Sequence, residues 1–146
     1  MTGSPLVVVA IGTEAAHLRG LDVVLTGIGK VSAAVAVTRA IAEHRPSFVL
    51  NVGTAGALRD GLEGAHRIGR VLEHDVDHAF LRTLTGEHSV GEIVLDPGEP
   101  TTLATGDAFV SDPTVRLALA ERAHLVDMGA SPSPGPARPP RSGAAW

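Results

Sequence analysis

Residues 22–50 constrain the fold more than any other stretch, because they spell strand, glycine turn, helix and strand in succession. Residues 22–26 (Asp-Val-Val-Leu-Thr) read as a strand that enters the turn Gly27-Ile28-Gly29-Lys30. Residues 31–45 carry Val31, Ala34, Val35, Thr38, Ile41 and Ala42 on one stripe at helical spacing, and Pro46 ends the helix. Residues 47–50 (Ser-Phe-Val-Leu) form the next strand, so the two strands are expected to run parallel. Upstream, residues 6–11 (Leu-Val-Val-Val-Ala-Ile) are continuously apolar, as in a strand buried on both faces, and Gly12-Thr13-Glu14 is read as a loop.

The strand at 47–50 runs into Asn51-Val52-Gly53-Thr54-Ala55-Gly56-Ala57-Leu58. Small residues there let backbone N–H groups approach a ligand, and the carboxyl end of a strand is where open α/β sheets bind one. Beyond it, residues 65–73 are expected as a strand and 83–100 as mostly loop, with an edge strand at 90–95. Residues 101–105 form a short strand ending in Gly106-Asp107. Asp112-Pro113 starts a helix that runs to about Arg122, and 124–127 begins a further strand. Residues 129–146 hold five of the ten prolines and no Ile, Leu, Val or Phe, so that segment is expected to be a disordered tail.

Composition narrows the function classes. Apolar residues make up 44% of the chain and aromatics 3%, so the core must be Val, Leu, Ile and Ala. A net charge of −4 without a basic run in the folding part argues against a nucleic-acid partner. Cysteine is absent, which removes disulfides, thiolate nucleophiles and Cys-ligated metals. No apolar stretch reaches membrane-spanning length, and Met-Thr-Gly-Ser-Pro lacks the basic start of a secretion signal, so the cytoplasm is the expected compartment.

Five segments together carry a resemblance: Glu14; Gly27-Ile28-Gly29-Lys30-Val31; residues 51–58; Thr105-Gly106-Asp107-Ala108-Phe109-Val110; and Val126-Asp127-Met128. In this order and spacing they resemble the purine nucleoside phosphorylase superfamily, and within it the 5′-methylthioadenosine/S-adenosylhomocysteine nucleosidases. The resemblance implies a three-layer α/β/α fold with a central mixed sheet over residues 1–128, lacking the family's C-terminal strand and helices. It implies that Glu14 holds and activates the attacking water, and that Ile28 lines the pocket for the 5′ substituent. Thr54, Ala55 and Gly56 match the turn beside ribose and water. Phe109 matches the residue that stacks on the purine, Val110 the one that binds it through its backbone, and Met128 the methionine under the ribose. The implied reaction is hydrolysis of an adenine thio-nucleoside, without cofactor or metal, by a homodimer. Phosphorylases of the superfamily resemble one another in a Gly-Asp-Pro segment and an arginine after the first strand. Gly12-Thr13-Glu14-Ala15 stands there instead, which favours water over phosphate as the nucleophile.

The rival readings are structural. Glu14 could be an exposed loop carboxylate, Gly27–Lys30 a plain connection, and Phe109 a core residue. His74, Asp75, Asp77 and His78 resemble metal ligands, but they alternate faces at a strand end and do not all converge. Lys30, the only lysine, reads as structural or solvated. After Met128 the resemblance stops: the family's ribose-binding glutamate is replaced by Gly129, and its purine-protonating Ser-Asp segment is not found. The tail's Gly, Ala, Pro and Arg content suggests a shifted reading frame in GC-rich DNA. Loss of a general acid costs about 10²–10⁴ in rate, so weak activity is expected. The alternatives are a non-catalytic nucleoside-binding remnant and a nucleosidase for another purine nucleoside such as futalosine.

Overall fold

The computed structural model of the chain describes residues 4–87 and 91–129. Most of the tail expected at 129–146 therefore lies outside the described residues, as does Val90 at the start of the expected edge strand.

The first unit follows from its apolar runs. β1 (Leu6–Val9) pairs in parallel with β2 (Val23–Leu25) and with β3 (Val49–Asn51), giving the order β2-β1-β3. All four β1 residues are buried, as the unbroken β-branched run requires, each contributing about 1.5–3 kcal/mol of transfer free energy. Between β2 and β3 runs the expected helix, α2 (Lys30–His44), ended by Arg45 in the left-handed region at φ 45° just before Pro46. Its buried face is not the expected one. Ala33 and Ala40 are buried and Val37 packs on Leu6 and Val8, whereas Val31 is 74% and Val35 55% exposed. Alanines let the helix lie close to the sheet beside Val37; Val31 and Val35 point away from it.

The second unit is a five-stranded sheet, in the order β4-β8-β7-β5-β6. Its strands are β4 (Gly56–Ala57), β5 (Arg70–Glu73), β6 (Glu92–Val94), β7 (Thr102–Thr105) and β8 (Leu125–Asp127). β5, β7 and β8 run parallel, while β4 and β6 are antiparallel edges, so this sheet is mixed. The strands thus divide into an all-parallel and a mixed ladder. The break falls where the chain leaves β3 and turns through 52–55 to pair β4 with β8; the expected small-residue turn therefore already contains a strand at Gly56. α4 (Pro113–Ala120), capped by Asp112 Oδ1 on the Thr114 and Val115 amides, seats Leu119 with Leu58, Leu72, Ala104 and Ala123 in one core cluster.

Other local corrections have simple causes. The loop expected at Gly12 is one helical turn, α1 (Gly12–Ala15). The strand expected over 65–73 starts only at Arg70. Residues 83–85, expected as loop, close α3 (His78–Thr85), which Asp77 caps through the Phe80 amide and Gly86 ends at φ 70°. The three phenylalanines all lie outside the core: Phe48, Phe80 and Phe109 are more than half exposed.

β7 enters the sheet through a titratable pair. The Thr102 N–H donates to His124 Nδ1 at 3.0 Å, and the His124 N–H donates to the Thr102 carbonyl at 2.9 Å. Burial, then the charges of Arg59 and His66, hold His124 below its ordinary pKa, and protonating Nδ1 would set a donor against a donor. A histidine depressed on folding takes up more protons when unfolded, so its stability contribution is present above pH ~6.5 and is lost as pH falls. Tm should fall between pH 7 and 5. His124→Asn, whose Oδ1 accepts the same N–H without titrating, should flatten that slope; an unchanged slope contradicts the assignment.

Candidate active site at the carboxyl ends of the parallel strands

Every sequence-expected site residue follows the carboxyl end of a parallel strand: Glu14 after β1, Ile28 after β2, 54–56 after β3, Phe109 and Val110 after β7, Met128 after β8. Because β1 and β3 are neighbours in register, their exits lie side by side, and the Val52 N–H reaches the Val8 carbonyl. The single turn of α1 folds Glu14 back over this point. Its Oε2 accepts the Ile11 N–H at 3.3 Å, and its Oε1 accepts both the Thr54 N–H and the Thr54 hydroxyl at 2.8 Å. The turn lies close to the carboxylate: a Cβ at position 53 would stand in ordinary contact, 3.6 Å from Glu14 Oε1. Partial burial by itself would raise the carboxyl pKa, but the donors from Thr54 and the backbone outweigh it and hold it below its ordinary value. The site thus contains a fixed, ionised carboxylate able to accept a hydrogen bond from water and later its proton.

The other residues come together through the backbone. The Gly29 N–H donates to the Met128 carbonyl at 2.9 Å, which joins the residue after Ile28 to the end of β8. The Lys30 N–H donates to Asp107 Oδ1 at 2.7 Å, which draws in the segment carrying Phe109 and Val110. Val110 packs on the Leu58–Leu72 cluster, and Gly56 pairs with Val126. Ile28 is 59% and Phe109 78% exposed, so Phe109 is not a core residue. Direct hydrogen bonds thus join Glu14 to Thr54, whereas Ile28, Phe109, Val110 and Met128 share linked loops. Two cavities, of about 250 and 420 Å³, lie elsewhere and include none of these residues; the larger opens beside the starts of β1 and β2.

The ligand-like acidic and histidine group separates. Asp77 caps α3, His78 Nε2 lies 2.7 Å from Glu73 Oε2, and Asp75 Oδ1 meets Lys30 Nζ at 2.6 Å. Lys30 Nζ also pairs with Glu73, so the only lysine is structural. Among the described residues no group of three or more His, Asp or Glu side chains is placed to hold a metal ion.

Residues 13–102 match the family model described as the phosphorylase superfamily. The chain belongs to that superfamily. It is 34% identical over 122 residues to a 5′-methylthioadenosine/S-adenosylhomocysteine nucleosidase of Shewanella loihica, an alignment covering 68% of this chain and 53% of the relative. The chain spans about half the length of the curated relatives it matches. The superfamily fold is seen again in a Helicobacter pylori MTAN mutant with 5′-methylthioadenosine in its active site, at TM-score 0.74 and 20% identity over 90% of this chain and 77% of that one. Futalosine hydrolase of Helicobacter pylori superposes with TM-score 0.71 and 20% identity over 90% of this chain and 79% of that one.

Proposed function

We propose that this superfamily member is built to hydrolyse the N-glycosidic bond of adenine thio-nucleosides such as 5′-methylthioadenosine and S-adenosylhomocysteine, giving adenine and the thioribose. The observation that carries the reading is the ionised Glu14 carboxylate, fixed by two bonds from Thr54 at the strand exit. In this scheme Glu14 holds water against the sugar carbon as cationic charge builds on the ring. Thr54, Ala55 and Gly56 line the ribose side with Met128 below it. Phe109 stacks on adenine, Val110 fixes its edge, and Ile28 lines the 5′ pocket. The reading takes residues 1–128 as a partial nucleoside phosphorylase-like domain and needs no metal or cofactor. Up to Met128 no residue matches the family's purine-protonating aspartate, so turnover by this sequence alone is expected to be slow, by about 10²–10⁴.

The likeness to futalosine hydrolase keeps futalosine as the second substrate to test. A chain that binds nucleosides without turning them over is the non-catalytic alternative. Among the described residues no helix is long and apolar enough to cross a membrane. The reading carries a cytoplasmic homodimer without nucleic-acid or membrane partners, and the exposed Val31 and Val35 on α2 supply an apolar face for a second subunit.

Titration calorimetry with 5′-methylthioadenosine tests the base pocket. Stacking a base on an aromatic ring contributes about 1–3 kcal/mol, so Phe109→Ala should weaken Kd by roughly 5- to 150-fold. Tm should scarcely change, because the ring is 78% exposed. An unchanged Kd would remove Phe109 from the site.

A further inference from the structure

The Phe109 ring is 78% exposed, and polar bonds hold the residues just before it. The segment that carries it leaves β7 through Gly106, whose N–H reaches the Asp127 carbonyl at 3.3 Å. A Cβ at Gly106 would fall 2.5 Å from His74 Nε2 and 2.9 Å from Asp75 Cγ, so the segment begins pressed onto the end of β5. Asp107 is then held at two points. Its N–H donates to Asp75 Oδ2 at 2.7 Å, and its own Oδ1 accepts the Lys30 N–H at 2.7 Å, across 77 residues of sequence. Gly29, the residue before α2, has no side chain to cap the helix and sits at φ 100°; Asp107 supplies the missing carboxylate from another element. Lys30 closes the ring, since its Nζ meets Asp75 Oδ1 at 2.6 Å while its N–H holds Asp107. Both side chains are largely buried, 13% and 19% exposed, so salt screens the pair less than it would a surface pair.

We propose that Lys30, Asp75 and Asp107 form a clamp that sets the Phe109–Val110 segment at the distance from Ile28 and Met128 needed for a purine. All three are positioning residues. The proposal rests on the reading of 109–110 as the base-holding segment. It assigns a role to Lys30 and to part of the His74–His78 group that the reaction itself leaves unused. The clamp acts on base affinity and not on the Glu14–Thr54 side, since none of its bonds reaches β1 or β3.

Two measurements on the full chain, amide hydrogen exchange over residues 104–111 and calorimetry with 5′-methylthioadenosine, test it. Asp75→Ala should speed exchange of the Asp107 amide at least tenfold and weaken Kd at least tenfold, with Thr54 exchange unchanged. Lys30→Met should do the same. Both Lys30 variants keep the backbone N–H to Asp107, but Lys30→Arg also keeps the charge facing Asp75 and should retain wild-type exchange and affinity within about threefold. Should Asp75→Ala not fold, Asp75→Asn keeps an acceptor for Asp107 but loses the charge pair, and should fall between wild type and Lys30→Met. The proposal is overturned if folded variants exchange and bind as wild type does, or if Lys30→Arg is as impaired as Lys30→Met. If the wild type binds no nucleoside, the base-holding reading fails; wild-type-like exchange in the variants would then show separately that the clamp does not exist.

Discussion

Gly69→Ala is expected to unfold much of the chain at temperatures the wild type tolerates. Gly69 stands one residue before β5, and the chain from 95 to 101 wraps around it. Its N–H donates to the Thr101 carbonyl, and its carbonyl accepts the Leu95 and Asp96 N–H groups. A Cβ there would fall 1.9 Å from the Glu99 carbonyl oxygen, 2.7 Å from that carbonyl carbon and 2.8 Å from the Asp96 carbonyl oxygen. All three atoms are backbone, so no side chain can swing aside and the loop must move. Overpacking of this kind costs about 1–3 kcal/mol and more where the backbone must shift. We expect at least the upper figure, a Tm loss of roughly 10 °C in a chain of this size. Gly12→Ala is the control, because nothing lies within 4 Å of a Cβ at that position. Equal Tm values for the two variants would contradict the packing around β5.

These details show what a single sequence carries. Where one face or one strand is defined by its own residues, it was readable: the run from Leu6 marks a buried strand, and residues 31–45 mark a helix. Which stripe of that helix faces the sheet was not. Apolar periodicity ranks Val31 and Val35 above Ala33, yet close helix–sheet approach favours the small side chain. The cap at Asp77 and the stop at Gly86 were local signals for α3, outweighed by the Gly, Glu and Pro content that follows. In the site, the small residues marked the 54–56 turn, the family resemblance pointed to Glu14, and the structure bonds Glu14 to Thr54. The Lys30–Asp75–Asp107 ring could not be read, because its members are distant in sequence and only strand order brings β5, β7 and α2 together.

Glu14→Gln is the variant expected to affect chemistry most. Glutamine keeps a carbonyl oxygen for the Thr54 N–H and hydroxyl, while its NH2 replaces the oxygen that accepts the longer Ile11 bond, so the bonds to the Thr54 turn should persist. It removes the charge that, in the proposed reaction, orients water and receives its proton. Loss of such a base costs about 10²–10⁴ in rate, or roughly 3–5 kcal/mol of barrier. The carboxyl is held below its ordinary value by the Thr54 and backbone donors despite its partial burial. A carboxyl depressed on folding contributes stability above its unfolded pKa of about 4.3, and this is lost as pH falls through the lower folded value. Glu14 therefore stays ionised through the neutral range, and its protonation should not limit the rate above about pH 4.3.

The most direct measurement is adenine release from 5′-methylthioadenosine under single-turnover conditions, with protein in excess and nucleoside affinity measured in parallel. The account predicts slow release by the wild type and at least 100-fold slower release by Glu14→Gln, with Kd values within about threefold of each other. Equal rates for the two proteins, or a wild type that binds the nucleoside and releases no adenine, would contradict it.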